Sequence, residues 1–173
     1  MIQKKSIRFA CVSMFFLFMG NLAMAQQFDV PSNVKLEAKE DYTLYEKDII
    51  AATNWLEITP VGQDDQKRKE VSSFVLQWIT GSPTVNIDIN TPVGKLTEKN
   101  PDLLLMFMAG YSRFVLENNY EKDKFKCQVA AVKSVVNLYN LGGSLKKNKF
   151  VQKAVDADKQ GTLENWVRQN LGQ

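Results

Sequence analysis

Six consecutive apolar residues, 103–108, follow the tripeptide Asn100-Pro101-Asp102, and this stretch constrains the fold more than any other. Asn is a favoured N-cap residue, and Pro at the first helical position has its backbone angle φ already set. Asp102 places a negative charge at the positive end of the helix dipole. A helix that is apolar all round at its start is normally buried on several sides. The pattern therefore predicts a central buried helix around which the other helices pack.

The first 25 residues have the pattern of a secretory signal peptide. Three basic residues precede a mostly apolar run over residues 9–22, and residues 23–25 read Ala-Met-Ala, a small-residue ending at which such leaders are cleaved. The apolar run is shorter than the about 20 residues that a membrane span needs. We therefore expect cleavage after Ala25, no transmembrane span in the mature chain, and a periplasmic or secreted protein. An uncleaved anchor is the alternative.

Removal of the leader changes what the net charge implies. The full chain has 22 basic and 19 acidic residues, and three of the basic ones lie in the leader. The mature chain is then neutral and gives no support for nucleic-acid binding. Residues 26–121 contain 9 basic and 15 acidic residues, whereas residues 122–173 contain 10 basic and 4 acidic. This asymmetry fits either an anionic partner at the C-terminal half or two halves of one domain that attract each other.

Apolar residues recur at helical spacing along most of the mature chain. This pattern predicts an all-α fold, a single compact domain of about six helices around the central buried helix, with one short extended segment. Thr43-Leu44-Tyr45-Glu46 has the form of a capping box, so residues 26–42 are expected to be an N-terminal extended segment and residues 43–173 the α-helical domain. Residues 84–90 alternate apolar and polar, which predicts a strand paired with residues 34–37, or otherwise an extended segment across the helices.

Cys127 is the single cysteine that remains once the leader is removed, so the mature chain forms no intrachain disulfide. Nearby lysines can lower a thiol pKa and activate it. However, Cys127 shares an apolar stripe with Ala131 and Leu138, and we expect it to be a small buried hydrophobic side chain.

The most specific local pattern, Asp-Ala-Asp-Lys-Gln-Gly, begins at residue 156. It resembles the start of an EF-hand loop, with Gly161 at the sharp turn. The resemblance implies weak calcium binding by Asp156, Asp158, Gln160 and Glu164. Val167 stands where an EF-hand has its bidentate Glu, which departs from the pattern. The alternative is a helix–Gly–helix turn in which Gly161 ends one helix and Thr162 begins the next.

Histidine is absent from the chain, which excludes Ser-His-Asp and Cys-His catalysis and removes the commonest metal ligand. The carboxylates Glu57, Asp64 and Asp65 lie near one predicted loop, where two of them could support glycoside hydrolysis. Carboxylates at helix starts are common, however, and capping is the favoured role for them. The three tryptophans fall on or beside apolar stripes, so we expect them in the core or lining a groove rather than forming a sugar-stacking platform, although one near the surface could be either.

The sequence therefore favours a non-catalytic binding or protein-interaction module of the cell envelope. Its partner would be an envelope protein or an anionic ligand, and no cofactor besides calcium is indicated. The alternative is a carboxylate-based hydrolase acting on cell-wall or glycan material.

Overall fold

A computed structural model describes residues 28–172, and this part of the chain is all-α. The prediction of a helical fold is thus confirmed, with eight helices and no strands in the described range instead of about six helices and a possible strand. The leader and its cleavage site lie outside the described residues. Within residues 28–172, no helix combines the length and the apolar composition that a membrane span requires. The helices are α1 (Lys39–Leu44), α2 (Glu46–Ile58), α3 (Asp65–Gly81), α4 (Thr91–Thr97), α5 (Pro101–Glu117), α6 (Lys124–Leu141), α7 (Lys149–Lys159) and α8 (Leu163–Asn170).

The sequence predicts that Thr43 caps the first helix, but that helix, α2, begins at Glu46 with Tyr45 as its N-cap, and a further helix, α1, precedes it. Helix α1 starts at Lys39, inside the segment expected to be extended, and Thr43 lies within it. The Asp41 carboxylate accepts hydrogen bonds from the backbone N–H groups of Ala38, at 2.8 Å, and Glu37, at 3.0 Å. These two bonds satisfy N–H groups at the helix start and hold the pKa of Asp41 below its ordinary value.

Residues 82–90 form an extended segment and not a strand. Val85 and Ile87 are half-buried against the core, whereas Ile89 is exposed, so the alternation seen in the sequence is only partly matched by burial. Residues 34–37 do not pair with this segment, because the isolated bridge in the described range joins Val61 to Gly143. The segment ends at Asn90, whose side chain accepts from the Val93 N–H at 3.1 Å and starts α4, a helix that the sequence did not predict.

Helix α5 begins where the sequence predicts, with Asn100 at the N-cap and Pro101 at the first position. The Asn100 side chain does not cap the helix, however. Its amide donates to the carbonyl of Lys146 at 2.9 Å, and its oxygen accepts from the Lys146 N–H at 2.7 Å. The predicted capping bond is therefore replaced by a tertiary contact, which fixes the start of α5 to the loop between α6 and α7.

Helix α5 packs against α2, α3, α4 and α6. Its approach to α6 is close at Gly110, where an added Cβ atom would lie 2.4 Å from the Ser134 Oγ. The first turns of α5 are not buried on every side: Leu103, Met106 and Phe107 are buried, whereas three further apolar residues are only partly covered. The half-exposed residues are Leu104, Leu105 and Met108.

Candidate functional site

A continuous groove runs between α3 and α5, and we call it the α3–α5 groove. It consists of two adjoining depressions of about 570 Å³ and 290 Å³. The two share Lys69 and Ser72 of α3 and Pro101 and Leu105 of α5. The complete lining is Val61, Asp65, Gln66, Arg68, Lys69, Ser72, Ser73, Leu76, Pro101, Asp102, Leu104, Leu105 and Met108.

The buried Arg68 side chain forms the floor at one end of the groove. Its guanidinium donates to the carbonyls of Leu56, at 3.2 Å, and Thr59, at 2.6 Å, at the C-terminal end of α2. It also donates to the Asp102 carboxylate at 3.4 Å. Burial lowers the pKa of Arg68, while the negative charge of Asp102 acts in the opposite direction. Arg68 therefore holds the ends of α2, α3 and α5 together.

Lys69 lies where the two depressions meet and is exposed. Within residues 28–172 it forms no ion pair, unlike Arg68 beside it. The neighbouring hydroxyls of Ser72 and Ser73 make no hydrogen bond to another described group. Asp65, one helical turn before Lys69, is exposed at the same end of the groove as Arg68. Counting the described residues alone, the α3 wall of the groove offers the unpaired Lys69 ammonium and the free hydroxyls of Ser72 and Ser73.

The other half of the groove is apolar. Leu104, Leu105 and Met108 of α5 are half-buried there, and Leu76 of α3 keeps 47% of its surface exposed. The α3 wall contributes the small Ser72 and Ser73 side chains opposite them, so within the described residues Leu104 and Leu105 keep part of their surface open. This contiguous apolar surface is what sequence analysis missed, because six apolar residues in a row predict burial on all sides. The sequence pattern that could have indicated this surface is Lys-x-x-Ser-Ser in α3, residues 69–73. It places polar side chains opposite the apolar residues of α5.

Of the three carboxylates singled out in the sequence, only Asp65 lines the groove. Glu57 forms an ion pair with Arg113 of α5, and its other oxygen accepts from the Asn137 amide of α6. Both charged side chains are mostly buried, with 10% of Glu57 and 19% of Arg113 exposed. Asp64 precedes α3 in a left-handed backbone conformation, with φ of 51°, and makes no capping bond.

The residues of the EF-hand-like pattern are divided between two surfaces. Asp156 and Asp158 lie in the last turns of α7, and residues two apart on a helix point to different sides. Asp158 accepts from the Lys133 ammonium at 2.7 Å, whereas Asp156 and Gln160 line a separate groove between α7 and α8. Glu164 is exposed in the first turn of α8 and is absent from that lining.

The turn between α7 and α8 has the geometry of a helix C-cap. Gly161 has φ of 69°, and the Thr162 N–H donates to the Ala157 carbonyl at 2.8 Å, as in a Schellman motif. No group of three acidic or thiol side chains within residues 28–172 is arranged to hold a metal ion. Calcium binding here stays a prediction, which calorimetry at millimolar calcium would test on the wild type and on Asp158→Ala.

The α3–α5 groove places half-exposed apolar side chains of α5 beside the Lys69 ammonium, which has no partner among the described residues. No known protein family matches the chain, and no curated protein or solved structure shows significant similarity to it.

Cys127, the single thiol of the described range, is fully buried away from the groove lining, as the sequence predicts. Burial raises its pKa, which disfavours the reactive thiolate.

Proposed function

We propose that this protein is a non-catalytic binding module of the cell envelope, a single domain organised around α5. Export is inferred from the basic, apolar and Ala-Met-Ala pattern of residues 1–25. The observation that carries the binding role is the half-exposed apolar face of α5 in the α3–α5 groove. Apolar surface left open beside polar residues is typical of interaction sites in water-soluble domains.

The occupant that fits this groove is an amphipathic helix of a partner protein. Asp65 and Leu76 are eleven residues apart on α3, so the groove is roughly 16 Å long and matches about three helical turns. Apolar residues at spacings of three and four on the partner would contact Leu104, Leu105 and Met108. An acidic residue on the same helix would pair with Lys69, whose charge has no partner among the described residues.

A peptide titration tests this role. The probe is a synthetic helical peptide with leucines at positions i, i+3, i+4 and i+7 and one glutamate beside them. Binding is followed by two-dimensional NMR of the isotopically labelled protein. We expect the largest shift changes in α3 and α5. A scrambled peptide of the same composition, which lacks a continuous apolar face, should bind much more weakly.

The chain offers a matched control for the apolar contact. Leu76, in the groove, is 47% exposed, and Leu141, outside it, is 44% exposed, so serine costs little in folding at either position. Leu76→Ser should weaken peptide binding about tenfold, because the variant lacks the apolar surface that Leu76 would bury against the peptide. Leu141→Ser should bind as the wild type does. Equal weakening by both variants, or shifts confined to other helices, would refute the groove as the binding site.

The alternative is a carboxylate-based hydrolase, and its location would be the same groove, since Asp65 and Asp102 both line it. Two carboxylates beside one cleft are the minimum for glycoside hydrolysis. Release of reducing ends from purified peptidoglycan is the assay. Turnover that is lost in both Asp65→Asn and Asp102→Asn would favour the hydrolase over the binding module.

A further inference from the structure

A second groove, between α7 and α8, has a different chemistry. It has a volume of about 500 Å³ and shares no lining residue with the α3–α5 groove. This volume lies in the range of about 300–1,000 Å³ that is usual for small-molecule sites. Its wall is mainly polar, in contrast to the leucines and methionine of the first groove.

Four primary amides line the α7–α8 groove, and one of them, Asn170, donates to the Trp166 carbonyl at 2.9 Å. The side chains of Gln160, Asn165 and Gln169 are exposed, and none of them makes a hydrogen bond within the described part of the chain. Each amide offers two N–H donors and a carbonyl acceptor, a combination that matches a hydroxyl able both to donate and to accept. Within residues 28–172 these three amides therefore keep their donors and acceptors available to a ligand.

The indole of Trp166 forms a further part of the groove wall. Trp166 is half-buried and packs against Phe150 with ring centroids 5.1 Å apart. That packing restricts the ring, so its apolar surface can be presented at a low entropic cost. An aromatic face can cover the C–H face of a pyranose ring, while the surrounding amides bind its hydroxyls.

Charge in this groove is balanced. Lys153 and Asp156 contribute one charge of each sign, and Asp156 already accepts a hydrogen bond from Gln152 at 3.0 Å. A phosphate or a polyanion would meet the Asp156 carboxylate, and an amphipathic helix would find little apolar surface. A neutral ligand rich in hydroxyl groups is not repelled by the Asp156 carboxylate and does not need a large apolar surface.

We propose that the α7–α8 groove binds a neutral saccharide, with Trp166 against the ring and Gln160, Asn165 and Gln169 bonded to hydroxyls. This site is independent of the α3–α5 groove and of its peptide ligand. The protein would then combine a peptide-binding surface with a separate glycan-binding surface.

NMR titration with N,N′-diacetylchitobiose and with maltose as probes tests the site. At least one disaccharide should shift resonances of α7 and α8 and leave α3 unchanged. Gln169→Ala should weaken that binding about five- to tenfold through the lost hydrogen bonds. Gln63→Ala, an exposed glutamine outside both grooves, should have no effect.

Asn165→Ala gives a second check, because Asn165 is exposed and its truncation should not disturb folding. It should also weaken binding, and circular dichroism should show unchanged helicity. The proposal is overturned if neither disaccharide shifts α7 and α8, or if Gln63→Ala weakens binding as much as Gln169→Ala. It is also overturned if the acidic helical peptide, and not a saccharide, binds in this groove.

Discussion

The Arg68 guanidinium of α3 donates a hydrogen bond to the Asp102 carboxylate of α5 over 3.4 Å, at the end of the α3–α5 groove. The same guanidinium caps the last carbonyls of α2. The buried Arg68 side chain donates to three acceptors. Because its N–H donors lie in one plane and point in fixed directions, these bonds hold the guanidinium in one position. This polar contact therefore joins α3 to α5 at this end of the groove, and the bonds to Leu56 and Thr59 connect α2 to the same side chain.

Replacing Arg68 should destabilise the fold substantially. In Arg68→Met the apolar stem is kept, but the carbonyls of Leu56 and Thr59 lose their buried donors, and Asp102 loses its partner. We expect the free energy of unfolding to fall by about 2–4 kcal/mol, measured by urea denaturation. Asp102→Asn leaves the contacts with α2 intact and should cost about 1 kcal/mol or less. Equal losses in the two variants would show that the contacts with α2 contribute little.

The Glu57–Arg113 ion pair should behave as a coupled unit. Arg113 also donates to the Ser134 hydroxyl at 3.0 Å and to Asn54, so α2, α5 and α6 meet at one charged cluster. Removing one partner, as in Arg113→Met, leaves a mostly buried carboxylate without its counter-charge and should cost about 3–5 kcal/mol. The double variant Glu57→Met, Arg113→Met should lose less than the sum of the single variants. A double-mutant cycle in urea denaturation measures this coupling, and strict additivity would contradict it.

Two helical glycines should respond in opposite directions to alanine. In Gly110→Ala the new Cβ would lie 2.4 Å from the Ser134 Oγ and 2.6 Å from its Cβ, so α5 and α6 must separate. We expect a loss of about 1–3 kcal/mol in unfolding free energy. In Gly94→Ala the Cβ meets nothing within 4 Å, and alanine should stabilise α4 by about 0.5–1 kcal/mol. Thermal melts of both variants test the close packing at Gly110, and a gain in both would contradict it.

Cys127 should be protected from thiol reagents in the folded protein. Its side chain is fully buried, its Sγ lies 3.8 Å from the Glu121 carbonyl, and burial raises its pKa. Because the thiolate is the reacting species, labelling by a disulfide reagent at mildly alkaline pH should be very slow without denaturant. In denaturant the reaction should become complete. Rapid labelling of the native protein would show that α6 opens locally at this position.

The helices with strong apolar periodicity could be predicted from the sequence, and α2, α3 and α5 to α8 appear at nearly the expected places. The two short helices could not. Helix α1 depends on the Asp41 contacts and α4 on Asn90, which also donates to the Leu171 carbonyl at 3.1 Å. Such helices are too short to be marked by periodicity, because tertiary contacts and not propensity stabilise them.

The grooves were harder to predict than the helices. Asn100 has the sequence of a capping residue, but it binds the Lys146 backbone, because the α6–α7 loop lies beside it in the folded chain. In the same way, six apolar residues indicate a buried helix, and only the packing of α3 shows that Leu104 and Leu105 remain half-exposed. Both outcomes depend on which element packs beside these residues in the folded chain. The periodicity of the sequence carries no information about that neighbour.

The most direct test of the binding account is a charge exchange at Lys69. Dissociation constants are measured for two helical peptides, identical except for Glu or Lys at the position facing Lys69. The wild type should prefer the Glu peptide, and Lys69→Glu should reverse that preference, whereas Lys159→Glu, far along the chain on α7, should leave it unchanged. The preference should also weaken as salt is added. An unchanged preference in Lys69→Glu would contradict the proposal that the α3–α5 groove receives an acidic amphipathic helix.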